Sequence, residues 1–142
     1  MAVRIPRENI QNLQQLEATI TGPDGATRLI NVAGQFDGNV SVFSQGNAFN
    51  QQKETFTALV GPVLTRQQFV RAIATGSITR ANVGVQTNPY GGTWSLVLVD
   101  ADWDDESGQV EVRLEVQVTS TGNNNSTQVN GLNFYVSILT AQ

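Results

Sequence analysis

The stretch DADWDDESGQVE, Asp100 to Glu111, places five acidic side chains among its first seven positions and a sixth at its twelfth. Clustered carboxylates support two chemistries. Calcium takes about six to eight oxygen ligands, and an EF-hand loop draws carboxylates from positions 1, 3, 5 and 12. Counted from Asp100, those positions are Asp100, Asp102, Asp104 and Glu111. Position 6, however, is Asp105 rather than the Gly that the loop's sharp turn needs, and the flanks read as strands, so an EF-hand is excluded. A hairpin site remains as the metal alternative, with Asp102, Asp104 and Asp105 plus backbone carbonyls as calcium ligands. The second chemistry is glycoside hydrolysis by a carboxylate pair, which requires a cleft and one acid held above its ordinary pKa. Adjacent acids at a hairpin tip meet neither demand. The favoured expectation is a solvated type I turn through Asp104-Asp105-Glu106-Ser107, closed by Gly108 at a bulge.

Aromatic residues supply a second candidate. In NPYGGTW, Tyr90 and Trp94 flank two Gly and could form a platform for a sugar face, with neighbouring amides as hydrogen-bond donors. The competing and favoured reading is a Pro/Gly turn whose Trp94 anchors a strand in the core. Trp103 poses the same choice, as core residue or as a cap over the acidic turn.

The absent residue types exclude more than the present ones suggest. The chain has no Cys and no His, which removes thiolate nucleophiles, Cys-based zinc sites, His-based metal centres and Ser-His-Asp or Cys-His catalysis. No Walker loop or dinucleotide Gly motif is present, and no organic cofactor is expected. The formal charge is -4, and the seven Arg and one Lys are scattered, so no stripe exists to track a phosphate backbone and nucleic acid is not an expected partner. MAVRIPRENIQ lacks the apolar core of a signal peptide, and no run approaches the 18 or so apolar residues of a membrane helix. The expectation is a soluble chain without membrane insertion. Asn and Gln number 27 against a single Lys, so the surface is rich in amides and suits assembly with other protein copies. The Asn-x-Ser/Thr triplets at Asn39, Asn124 and Asn125 are read as chance in an Asn-rich chain.

These residues must be positioned by strands. EATITGPDGATRLINV has the form of a hairpin about Gly22-Pro23-Asp24-Gly25, and QFDGNVSVF suggests a second one turning at Asp37-Gly38. SQGNAFNQQKE reads as loop, and TFTALV as a strand broken by Gly61-Pro62. TWSLVLVDADW is apolar on both faces and predicts a central strand covered on two sides. Its partner QVEVRLEVQV alternates, with Val110, Val112, Leu114, Val116 and Val118 facing in. Two short helices are predicted. One lies near 6–16, where Pro6 suits a first helical position and Ile10, Leu13 and Leu16 recur every third residue, with an extended arm over 1–16 as the alternative. The other lies near 66–75, where Thr65 and Gln68 have capping-box spacing and Gly76 would end the helix; a strand pair is its alternative. The closing run NFYVSILTA resembles the final strand of H-type lectin domains, a likeness of one strand that implies no site residues.

The predicted fold is mainly β: one domain over 1–142, an antiparallel β-sandwich of jelly-roll-like character. The expected function is a non-enzymatic binding or self-assembly module, a structural or adhesion component of a larger particle or surface, with a homo-oligomer or another assembly protein as partner. A lectin-like module with glycan as partner is the alternative, assisted by calcium in one version, and a carboxylate hydrolase is the third reading.

Overall fold

The structure is a computed structural model that describes residues 2–46 and 48–141. It is a mainly-β sandwich of two four-stranded sheets. In chain order the strands are β1 (Ala2–Arg4), β2 (Gln11–Gly22), β3 (Gly25–Ser44), β4 (Phe49–Val60), β5 (Phe69–Gly84), β6 (Gly92–Trp103), β7 (Val110–Thr121) and β8 (Asn125–Ala141). Sheet I has the order β1-β4-β7-β6 and sheet II the order β2-β3-β8-β5. Neighbours are antiparallel except β1, which runs parallel to β4. Among the described residues no helix is long and apolar enough to cross a membrane.

The core forms where the inner faces of the sheets meet. β7 shows the alternation most cleanly: Val110, Val112, Leu114, Val116 and Val118 are all 0% exposed, and Glu111, Arg113, Glu115 and Gln117 point to the other side. β8 contributes Val129, Leu132, Phe134, Val136 and Ile138 from the opposite sheet, and β3 adds Ile30, Val32 and Phe36. Phe36 packs tilted against both Phe56 and Phe134, with centroids 5.8 and 6.4 Å away.

Both predicted helices are replaced. Over 6–16 only a single 3-10 turn forms at Arg7–Asn9, and β2 begins at Gln11. Over 66–75 the capping box does form, since Thr65 N donates to Gln68 Oε1 at 2.9 Å and Gln68 N to Thr65 Oγ1 at 3.3 Å. No helix follows it, because Phe69–Gly84 pairs along β8. Gly76 is therefore not a helix stop. A Cβ there would lie 2.8 Å from Leu114 Cδ2 and 3.0 Å from the Asn133 carbonyl, so only Gly lets the sheets close at this point.

Three more expectations are corrected. Asp37-Gly38 is not a turn but an irregularity within the continuous strand β3, and Gly38 accommodates the Phe56 ring 3.1 Å from where its Cβ would be. The loop read from SQGNAFNQQKE is confined to its start, because β4 already begins at Phe49. β6 is an edge strand of sheet I and not a central one. A register shift between Leu96 and Leu98 switches the side on which its side chains fall. Leu96 faces in before the shift and Val99, Ala101 and Trp103 after it, so the run looks apolar on both sides without being covered on both.

Leu114→Ala is expected to destabilise by about 2–5 kcal/mol, and Gly76→Ala by about 1–3 kcal/mol through overpacking. Glu115→Ala should stay within about 1 kcal/mol, because its Lys53 partner is solvated. Denaturant titration of the three variants checks the ranking, and equal costs at 114 and 115 would mean that the register is wrong.

Candidate functional site

The acidic stretch divides into three parts. Asp100 and Asp102 lie on the outer face of β6, opposite Arg113 and Glu111 of β7, and each accepts the next residue's backbone N–H, from Ala101 at 2.9 Å and from Trp103 at 2.8 Å. Asp104 opens the turn: its Oδ2 accepts Ser107 N at 3.0 Å and Ser107 Oγ at 2.6 Å. The turn is closed by Gly108 N to Asp104 O and Asp104 N to Gln109 O, both 2.8 Å, with Gly108 at φ 74°. Asp105 and Glu106 are exposed at its tip. Among the described residues no group of three or more Asp or Glu side chains is placed to hold a metal ion, so Asp102, Asp104 and Asp105 are not brought together as ligands.

The aromatic candidates are also separated. Trp103 Nε1 donates to the carbonyls of Leu64 and Gly108, each at 3.1 Å, and its ring lies 5.6 Å beneath the Arg66 guanidinium. It pins the acidic turn to the bend after β4. Tyr90 hydrogen-bonds Thr127 Oγ1 at 2.7 Å and covers the Gly92 backbone. Trp94 is 45% exposed, opposite Val118 at the other end of β6. Nine residues of strand, about 30 Å, separate it from Trp103.

The feature that stands out is a contrast between the outer faces. On sheet I the outward positions carry Asp100, Asp102, Glu111, Arg113, Glu115, Lys53 and Arg4. They form ion pairs from Glu111 to Arg4 and to Arg113 (3.5 Å), and from Lys53 to Glu115 (3.8 Å). On sheet II the pairing sets up cross-strand rows: Ile20-Thr27-Ala141, Ala18-Leu29-Leu139-Arg71, Leu16-Asn31-Ser137-Ile73 and Gln14-Ala33-Tyr135-Thr75. Arg71 is the one charged residue in those rows. Leu16 is 71%, Ile73 59%, Ile20 57% and Tyr135 46% exposed. The polar members are paired with one another, Ser137 Oγ to Asn31 Oδ1 at 2.7 Å and, one row further, Ser77 Oγ to Asn133 Oδ1 at 2.6 Å, which lowers the cost of taking them out of water. An open groove of about 500 Å³ crosses this face between Asn12, Gln14, Gln35, Ser77, Asn133 and Tyr135.

Sequence reasoning missed this surface. Its one readable signal was the alternation Leu16-Ala18-Ile20. It also missed Asn125, a buried residue whose Oδ1 accepts Gln86 N (2.8 Å) and Thr87 N (3.2 Å) and whose Nδ2 donates to Thr87 O (3.1 Å) and Thr121 O (2.9 Å). Asn125 clamps the connection after β5 to the end of β7, which leaves its side chain no freedom to carry a glycan. Comparison with family models, with characterised proteins and with solved structures returns no match for the chain.

The Asp104 carboxyl is held below its ordinary value, first by the Ser107 hydroxyl and then by the Ser107 amide. A carboxyl lowered in the folded state stabilises the turn above its unfolded pKa, and that contribution is lost as pH falls through the lower folded value. Amide exchange at Ser107, followed by NMR, should therefore accelerate as the pH falls through the lowered Asp104 value, and Asp104→Asn should remove the inflection. Millimolar calcium should move Tm no more than magnesium at matched ionic strength; a calcium-specific rise of several degrees would make the stretch a cation site.

Proposed function

We propose that the protein is a non-enzymatic self-assembly module, a structural or adhesion component of a larger particle or surface, whose contact face is the outer side of sheet II. The carrying observation is the scarcity of charge at the end of this face that exposes Leu16, Ile20, Ile73 and Tyr135, where Arg71 is the one charged residue and the Asp37–Arg80 ion pair lies beyond the patch, while the opposite face holds interleaved ion pairs. Contiguous exposed apolar surface on a folded domain marks an interaction site, and ion pairs left in water cost nothing to keep solvated. The reading therefore commits the molecule to burying one side and exposing the other. Catalysis has no comparable support: Asp24 and Asp37 occur singly among the residues that line the surface grooves.

A second reading draws on the groove beside Tyr135. An aromatic ring among Asn and Gln side chains is the chemistry that recognises a sugar, which moves the lectin-like alternative from Tyr90 and Trp94 to sheet II.

Light scattering at tens of micromolar should give a mass above 15.3 kDa. The double variant Ile73→Glu/Tyr135→Glu should return it to the monomer value with Tm little changed. A monomeric wild type, together with glycan-array binding that Tyr135→Ala abolishes, would favour the lectin reading instead.

A further inference from the structure

A sandwich with two open sheets has four edges, and exposed edges pair with other chains unless something prevents it. β1 is three residues long. β6 has an irregularity between Leu96 and Leu98 and carries Asp100 and Asp102. β5 has three irregularities, at Phe69/Arg71, Ile78/Arg80 and Arg80/Ala81, and two Arg. β2 has none of these defences over its main length: from Gln14 to Gly22 it pairs with β3 in unbroken register, and its one charge there, Glu17, is held by Arg28 at 3.4 Å.

β2 is also weakly supported by the rest of the molecule. Of its twelve residues only Leu13 is even partly buried, and β3 is the one element against which it packs extensively. Sheet I ends in the short β1, so the side of β2 that bears Gln15, Glu17, Thr19 and Thr21 faces water. Its apolar residues Leu16, Ala18 and Ile20 lie on the outer face. A two-stranded ribbon without a covered apolar face is marginal in water, and β2 buries little of itself and lacks a neighbour on its free edge.

We propose that the free edge of β2 pairs antiparallel with β2 of a second copy across a two-fold axis at Ala18, joining two sheets II into one continuous eight-stranded sheet. The proposal rests on the self-assembly reading and deepens it. The register follows from the unbroken segment Gln14–Gly22, whose midpoint is Ala18 and which pairs over its full length only about that residue. Centred on Ala18, it sets Leu16 against Ile20 of the second copy on the outer face, and Glu17 against Thr19 of the second copy on the other. A centre one residue earlier would oppose Glu17 to Glu17, and like charges in direct opposition are destabilising. A slip of any odd number would place apolar residues against polar ones on the wrong face.

The chain has no Cys, so single substitutions report on this contact without background. Directly opposed Cα atoms in an antiparallel pair lie about 4.5–5.5 Å apart, within the disulfide range of about 4.4–6.8 Å. Under mild oxidation Ala18→Cys should form a disulfide-linked dimer in high yield. Leu16→Cys alone should not, since its copies would lie about 13 Å apart, whereas an equimolar mixture of Leu16→Cys and Ile20→Cys should cross-link as a heterodimer. These positions are exposed, and circular dichroism confirms folding. An oligomeric mass with no cross-link at Ala18→Cys and none in the mixture would overturn the edge pairing and leave the assembly reading standing. Cross-linking that survives Ile73→Glu/Tyr135→Glu without loss of mass would keep the edge pairing and remove the outer face from the interface. A 15.3 kDa species with no cross-link would end both.

Discussion

Leu114 fills the space that Gly76 leaves open on the facing sheet, and contacts of this kind set how the two layers fit together. The leucine is fully buried in the middle of β7, and the position it faces on β5 has room for no side chain at all. Interleaving of this kind sets the spacing of the layers, so the inner faces are filled mainly by Val, Leu, Ile and Phe, with the Ser44–Ser120 hydrogen bond buried between the sheets. Once the inner faces are committed, the alternation of each strand leaves the outer positions free to differ, and there the two sheets diverge.

Sheet I uses its freedom for charge. The acids of the 100–111 stretch fall on its outer face or in the turn at its end, where Arg113 and Arg4 pair with Glu111 and offset part of their mutual repulsion. Sheet II uses the same freedom for Leu, Ile, Tyr and paired amides. The split reaches the edges as well: β6 is guarded by acids and an irregularity, while β2 runs straight, almost uncharged, with its apolar side outward. A domain built this way differs across its thickness, with interleaved ion pairs on one outer face and exposed Leu, Ile and Tyr on the other.

How far this was legible depended on the range of the deciding interactions. β7 and the hairpin at Pro23-Asp24 could be read directly, because a strict period of two and a Gly-Pro-Asp-Gly turn are local signals. The segment 66–75 could not. Its capping box is real and is made, but such a cap contributes about 1 kcal/mol, less than the long ladder that β5 forms with β8, which lies more than forty residues away in the chain. β6 misled for a related reason: a one-residue irregularity, set by pairing with β7, imitates two-sided burial. The acidic turn was legible as a turn because Asp104, Ser107 and Gly108 act within five residues. The apolar patch on the outer face of sheet II was not, since its rows are assembled from β2, β3, β8 and β5 only after three separate registers are fixed.

The central claim is that the molecule makes its contacts on the sheet II side, with β2 as the joining edge. Hydrogen exchange measured across a concentration series tests it most directly. Amides of β2 that point away from β3 have no partner in the single chain and gain one only on pairing. Protection in the segment Gln14–Thr21 should rise steeply between low and high micromolar protein, while β1 and β6 exchange at a constant rate. Protection that instead appears on β6, or a β2 whose exchange is independent of concentration, would contradict it.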